Sequence, residues 1–235
     1  MTDNGGFEGF SVKTLELLNG IVHNNSKGWL EENRRVYETA LLAPMKRLVA
    51  DLAPVVGAID PRIDIRPAVG RTISRIYRDV RFSSDKSPLR PNMWITFKRP
   101  GSDGLHIPTF YFDLAFDHWS YGMGFYSATP GWMRVFRQVI LSRPEPFVAA
   151  LSGIGDCLVL EGECYSRPPV KSLPPGFLPE HKEALSPFLD KKSFYWACRQ
   201  DLGNILFSKE LARCLSEGFR SLGPVYRFLA GIEAP

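Results

Sequence analysis

The chain has 235 residues and 26.5 kDa, with 44% hydrophobic and 23% charged residues, a composition that excludes a disordered or fibrous protein and predicts one folded domain with a sizeable apolar core. A formal net charge of +4 is too small to require nucleic acid or an anionic surface as partner, so local clustering is more informative than the total. The cysteines Cys157, Cys164, Cys198 and Cys214 form no C-x-x-C pair and no zinc-type spacing, which predicts reduced, mostly buried thiols; with no signal-peptide pattern at the start and no run long enough to span a bilayer, a cytoplasmic protein without a membrane segment is expected.

Residues 1–9 read as a flexible lead-in to a single domain over 10–230. Phe10, Ser11 and Leu15 sit where a hydrophobic staple and N-cap start a helix, "SVKTLELLNGIVHNN". A second helix starts near Ser26 with an apolar stripe of Trp29, Val36, Tyr37, Ala40 and Leu41, and Pro44 ends or kinks it. "PMKRLVADLAP" continues as a third. Beyond Gly70 and the basic stretch, the period changes from 3.6 to 2. "NMWITFKR" predicts a strand, and "TFYFDLAF", "DHWS" and "YGMGFYSA" predict strand, turn and strand of an antiparallel hairpin.

Thr129 followed by Pro130 predicts a helix entry, with Trp132, Val135, Phe136, Val139 and Ile140 on its core face. Further strands are expected in "CLVLEGECY" and "SFYWACR", and closing helices in "SKELARCLSEGF" and "PVYRFLAG". The span "SRPPVKSLPPGFLPEH" is expected to lie extended over the surface. This order predicts an α+β fold, a mainly antiparallel sheet covered by N-terminal and C-terminal helices.

The stretch "GRTISRIYRDVRFSSDKSPLRP", residues 70 to 91, holds five arginines and one lysine against two aspartates. At about 100° per residue, a helix over 71–81 collects Arg71, Arg75 and Arg78 on one face and Ile73, Ile76, Tyr77 and Val80 on the other. Three like charges in register call for something acidic opposite them. Asp79, Asp85, Asp113 and Asp117 are the candidate protein carboxylates; a phosphate or carboxylate ligand is the alternative, since arginine matches such oxygens in bidentate fashion. The ligand reading takes Arg71, Arg75, Arg78, Arg81 and Lys86, with Asn25, as one side of a pocket, and makes Asp79 or Asp85 the acid/base if the site is catalytic. A structural or protein-interaction domain, in which an internal salt-bridge network holds the following loop to the sheet, accounts for the same residues. A non-enzymatic nucleic-acid surface, with Trp94, Tyr111 or Trp119 as stacking platforms, is the third reading.

Other motifs are weaker. "GMGF" lacks the context of a dinucleotide fingerprint, and His23, His106, His118 and His181 are not spaced to hold a metal, so no cofactor or metal is expected. Glu161 and Glu163 are a candidate carboxylate pair that an exposed strand face explains more cheaply. Asn24, Asn25, Trp29, Asn33 and Tyr37 mark a polar and aromatic junction suited to capping and packing.

Four segments, "GFSVKTLELLNGIVHNNSKGWLEENRRVYE", "PAVGRTISRIYRDVRFSSDKSPLRPNMWITFK", "GMGFYSATPGWMRVFRQVI" and "LPPGFLPEHKEAL", together resemble the family called domain of unknown function 2461, from about Phe10 to Leu229. The most specific part runs from Arg75 to Ser83 and from Asp85 to Pro88. The resemblance implies a single intact domain and no established activity. The chain departs from the family pattern at Ser84, Leu89, Arg90 and Pro175, so no role that needs an amine at 84 or 175, or a phenol at 89, carries over.

Overall fold

The computed structural model describes residues 5–81, 84–101, 104–170 and 176–233. Five strands form one antiparallel sheet: β1 (Asn92–Phe97), β2 (Thr109–Ala115), β3 (His118–Gly124), β4 (Val159–Glu161) and β5 (Tyr195–Asp201), in the order β1-β2-β3-β5-β4. The helices are α1 (Val12–His23), α2 (Lys27–Glu32), α3 (Ala43–Ile59), α4 (Pro130–Ser142), α5 (Glu145–Leu151), α6 (Pro179–Leu185) and α7 (Glu210–Ala230). This is the α+β architecture the sequence predicts. None of the described helices is long and apolar enough to cross a membrane.

Alternation along the strands divides the sheet into two faces. Met93, Ile95 and Phe97 of β1, Phe110, Phe112 and Leu114 of β2, and Trp119, Tyr121 and Met123 of β3 are buried; α3 and α7 cover that side. Phe219 of α7 meets Phe97 and Phe110 with ring centroids 6.1 and 5.1 Å apart. The helix comes this close because Gly218 has no side chain: a Cβ there would stand 2.2 Å from the Tyr121 ring. The opposite face carries Trp94, Thr96, Tyr111 and Asp113, all half-buried. β3 begins at His118, earlier than expected, so the hairpin turns within Phe116 and Asp117.

Two prolines act differently from their sequence reading. Pro44 neither ends nor sharply breaks the helical run, because residues Tyr37–Leu42 widen into a π-helical turn that leads into α3. The carbonyl of Ala40, four residues before Pro44 and so deprived of its α-helical donor, accepts a hydrogen bond from Thr14 Oγ1 at 2.6 Å. Pro224 likewise lies inside α7, which is one continuous helix where two were expected. Pro224 and Arg220, whose carbonyl it leaves without an i−4 donor, are both exposed, which puts the orphaned carbonyl on the solvent side of the helix.

Within the expected lead-in, Phe7 is buried and its N–H donates to Asp51 Oδ2 at 2.8 Å. In the proline-rich span, residues 171–175 lie outside the described residues, and Pro179 opens α6.

The C-terminus of α3 is fixed by a buried carboxylate. Asp60, 4% exposed, accepts from Arg99 Nε at 2.6 Å, Tyr226 Oη at 2.9 Å, and Arg62 Nε and N at 3.0 and 3.1 Å. Burial pushes its pKa up, but these donors outweigh it and bring the value down to about 2. The folded value lies below the unfolded one near 3.9, so this group stabilises the fold above that pH and the contribution, on the order of 2 kcal/mol, fades as pH falls toward 2. Asp60→Asn should lower stability at neutral pH and flatten acid unfolding between about pH 4 and pH 2. Urea titrations across that window that match the wild type in slope would refute this assignment.

Candidate functional site

Residues 71–81 do not form a helix. They run extended beside β1 and return through residues 88–90. The outer edge of β1 presents backbone groups that need partners, and this segment supplies them: Ser74 N–H donates to the Trp94 carbonyl at 2.9 Å, Ser74 Oγ accepts from Trp94 N–H at 3.0 Å, and the Thr72 carbonyl accepts from Thr96 N–H at 2.8 Å. Arg78 N–H then donates to the Pro88 carbonyl at 2.8 Å, and Arg90 N–H to the Ile76 carbonyl at 2.9 Å. Ile73, Ile76 and Leu89 are buried beneath. The helical reading counted side-chain spacing and missed the edge that claims this backbone.

Asn25, in the turn between α1 and α2, pairs with Leu89 as a strand residue would. Its Nδ2 donates to the Leu89 carbonyl at 3.0 Å, and its Oδ1 accepts from Leu89 N–H at 2.8 Å. This bidentate contact brings the α1–α2 turn against the basic segment. Ser26 caps α2 by accepting from Trp29 N–H at 3.2 Å, which sets Lys27 at the start of that helix.

With the backbone extended, the arginines are not in register on one face. Asn25, Arg78 and Lys86 border one cavity of about 720 Å³ together with Lys27 and Tyr77. Arg75 lies beyond Tyr77, in a smaller cavity of about 290 Å³ that also holds Arg34 and Tyr37. Arg71 is exposed and near enough to Asp64 to act on its charge. Arg81 is exposed and pairs with Asp79 at 2.7 Å. Arg90 lies over the Trp94 ring, 4.7 Å from its centroid.

The carboxylates account for part of the positive charge. Arg78 Nη2 meets Asp85 Oδ2 at 3.3 Å, and Lys86 Nζ donates to the Val80 carbonyl at 2.9 Å. Hydrogen bonds from Arg81 hold the Asp79 carboxyl at about 2, and the Ser87 hydroxyl and N–H keep that of Asp85 low. Both are thus ionised acceptors at neutral pH, without the raised pKa that suits a general acid. Asp113 and Asp117 face other groups, Asn92 Nδ2 at 2.8 Å and His118 Nδ1 at 2.7 Å.

Several further expectations change. Trp119 is 1% exposed and points into the core, so it is no stacking platform, whereas Trp94 and Tyr111 lie on the half-open sheet face. Glu161 and Glu163 do not act as a pair: Glu161 accepts from Tyr195 Oη at 2.7 Å and from Arg199, while Glu163 meets Lys192. All four cysteines are free, but Cys157 and Cys164 are exposed rather than buried. Among the described residues no group of three or more His, Cys, Asp or Glu is placed to hold a metal. Phe82 and Ser83 of the expected signature, and Pro175, lie outside the described residues. Lys27 and Tyr77 were not foreseen as neighbours of Arg78 and Lys86; the juxtaposition depends on the contact between Asn25 and Leu89, 64 residues apart, which no local pattern signals.

The chain is thus a single-domain α+β protein with a basic segment laid along one sheet edge. It belongs to the conserved hypothetical protein family DUF2461, whose model matches residues 13–228. No curated protein matches the chain.

Asn25→Ala removes two hydrogen bonds at once and leaves the Leu89 backbone unpaired, so it should destabilise the fold by about 1–3 kcal/mol. Arg81→Ala, at an exposed local pair, should leave the unfolding midpoint in place. Equal effects of the two substitutions in denaturant melts would contradict the structural role assigned to Asn25.

Proposed function

We propose that the chain binds a small phosphate- or carboxylate-bearing ligand in the cavity between the α1–α2 turn and residues 78–88, with Arg78 and Lys86 as its cationic clamp and Lys27 at the rim. One observation carries this reading: the described lining of the cavity contains three cations and no carboxylate. The residues from 70 to 91 hold six cations against two aspartates, an excess of four that equals the formal charge of the whole chain. The ion pair between Arg78 and Asp85, at 3.3 Å with the aspartate side chain 52% exposed, is of the weak, solvent-screened kind that an incoming oxyanion displaces. A guanidinium and an ammonium at one concavity suit the oxygens of a phosphate or carboxylate group.

Relative to the set expected from sequence, Asn25 has a structural part through Leu89, Arg75 faces the neighbouring cavity, and Arg71 and Arg81 stand outside the clamp. The reading is one of binding, and no acid/base step is assigned to Asp79 or Asp85. A small ligand is favoured over nucleic acid because the cations surround a concavity, and Trp119, one of the three candidate stacking rings, is buried.

Wild type, Arg78→Ala and the exposed-site variant Lys27→Ala/Lys86→Ala are to be titrated with pyrophosphate, ADP, citrate and a short single-stranded oligonucleotide, followed by thermal unfolding and calorimetry. One small anion should bind saturably and add about 2.7 kcal/mol at 100 times its Kd, and both variants should lose the effect while remaining folded. Binding of the oligonucleotide alone, with affinity that falls steeply in added salt, would replace this reading with a nucleic-acid surface. Unaltered binding in the variants would place the site elsewhere.

A further inference from the structure

The outer face of the sheet carries a second cavity, of about 550 Å³, that uses none of the cations described above. Trp94 and Thr96 of β1 form one wall and Tyr195 of β5 the other; Tyr111 and Asp113 of β2 lie between them, and Phe125 and Tyr126 close one end. On β3, His118, Ser120, Gly122 and Gly124 alternate onto this face, and the last three bring no large side chain to the centre of the sheet. The Tyr111 ring leans over Gly122, 3.0 Å from where a Cβ would stand. Tyr195 is held in place by its hydroxyl, which donates to Glu161 Oε2 at 2.7 Å, and Glu161 is itself paired with Arg199 at 3.0 Å.

The charge of this cavity is the reverse of the first. Its described lining has five aromatic rings, one carboxylate and no cation. Asp113 Oδ1 accepts from Asn92 Nδ2 at 2.8 Å, and no cation lies within ion-pair distance of it among the described residues. His118 and Arg199 act on it only from further off, and burial raises its pKa. A carboxylate so placed is stabilised by a cation brought to it, and aromatic faces attract the same kind of group. Trp94 already holds one: Arg90, which does not line the cavity, lies over this ring. An anionic ligand would be repelled by Asp113, and a neutral one would leave its charge uncompensated.

We propose that this cavity binds an organic cation, an alkylammonium group whose charge pairs with Asp113 while its carbon atoms lie against Trp94, Tyr111 and Tyr195. The site is independent of the anion cavity at the sheet edge.

The test compares cations with a neutral molecule of the same shape. Choline, tetramethylammonium and n-butylammonium chlorides are titrated into the full chain by calorimetry, alongside 3,3-dimethylbutan-1-ol, the uncharged isostere of choline. At least one cation should bind saturably, choline at least tenfold more tightly than the alcohol. Asp113→Asn should weaken cation binding tenfold or more, and Lys27→Ala/Lys86→Ala should leave it unchanged. Because the isostere comparison uses wild type alone, the result does not depend on the Asp113→Asn variant folding. Equal affinity for choline and the alcohol, full binding by a folded Asp113→Asn, or no saturable binding of any of the three cations would each overturn the proposal.

Discussion

The outer edge of β1 dictates where the basic segment goes. The N–H groups of Trp94 and Thr96 and the carbonyl of Trp94 need partners, and residues 72–74 supply them. A helix over the same residues would satisfy its own backbone and leave that edge open, which a sheet resists because an open edge invites pairing with other chains. Once Thr72 and Ser74 are committed, the chain runs extended through Tyr77 and is held from the far side by Pro88, Leu89 and Asn25. The positions of the arginines follow from this backbone. Tyr77 stands between the cavity of Arg75 and that of Arg78, so side chains that a helix would have stacked together instead serve two separate concavities.

The same geometry separates the two charged regions of the molecule. Cations collect at the sheet edge, where solvent and the α1–α2 turn meet, while the sheet face behind them carries Asp113 among aromatic rings. Arg90 lies at the boundary: it belongs to the basic segment by sequence but rests on the Trp94 indole. Burial pushes its pKa down, and the nearby Arg78 adds to that effect. The ring therefore draws one arginine of the segment toward the sheet.

Much of the fold was legible because its signals are local. Ser11, Ser26 and Thr129 mark helix starts that the chain adopts, and alternation in Phe110, Phe112 and Leu114 identifies the buried face of β2. What failed depends on distant partners. Pro44 reads as a breaker until Thr14, 26 residues before Ala40, is seen to donate to the Ala40 carbonyl that the proline leaves without its donor. Trp119 reads as an available ring until the sheet's inner face is seen to include it. The basic segment fits a helical period well, yet its pairing with β1 overrides that period, as tertiary context commonly does. Asp113 was legible only as a carboxylate to set against arginine; its place among aromatic rings depends on the register of three strands.

Whether the arginines are neutralised within the protein can be argued from where the carboxylates are committed. Asp79 pairs with Arg81 and Asp85 with Arg78. Asp60 is engaged by Arg62, Arg99 and Tyr226, Asp64 by Arg66, and Asp117 by His118, while Asp113 accepts from Asn92 on the other side of β1. The carboxylates named as counter-ions for the basic segment are thus used locally or elsewhere in the fold, and the cavity beside Arg78 and Lys86 has no acidic residue in its described lining. An internal network would require acidic side chains brought in from other elements, as Asp60 is brought to Arg99. At the sheet edge Asp85 reaches Arg78 at 3.3 Å, while the described lining that Arg78 shares with Lys27 and Lys86 holds no carboxylate of its own.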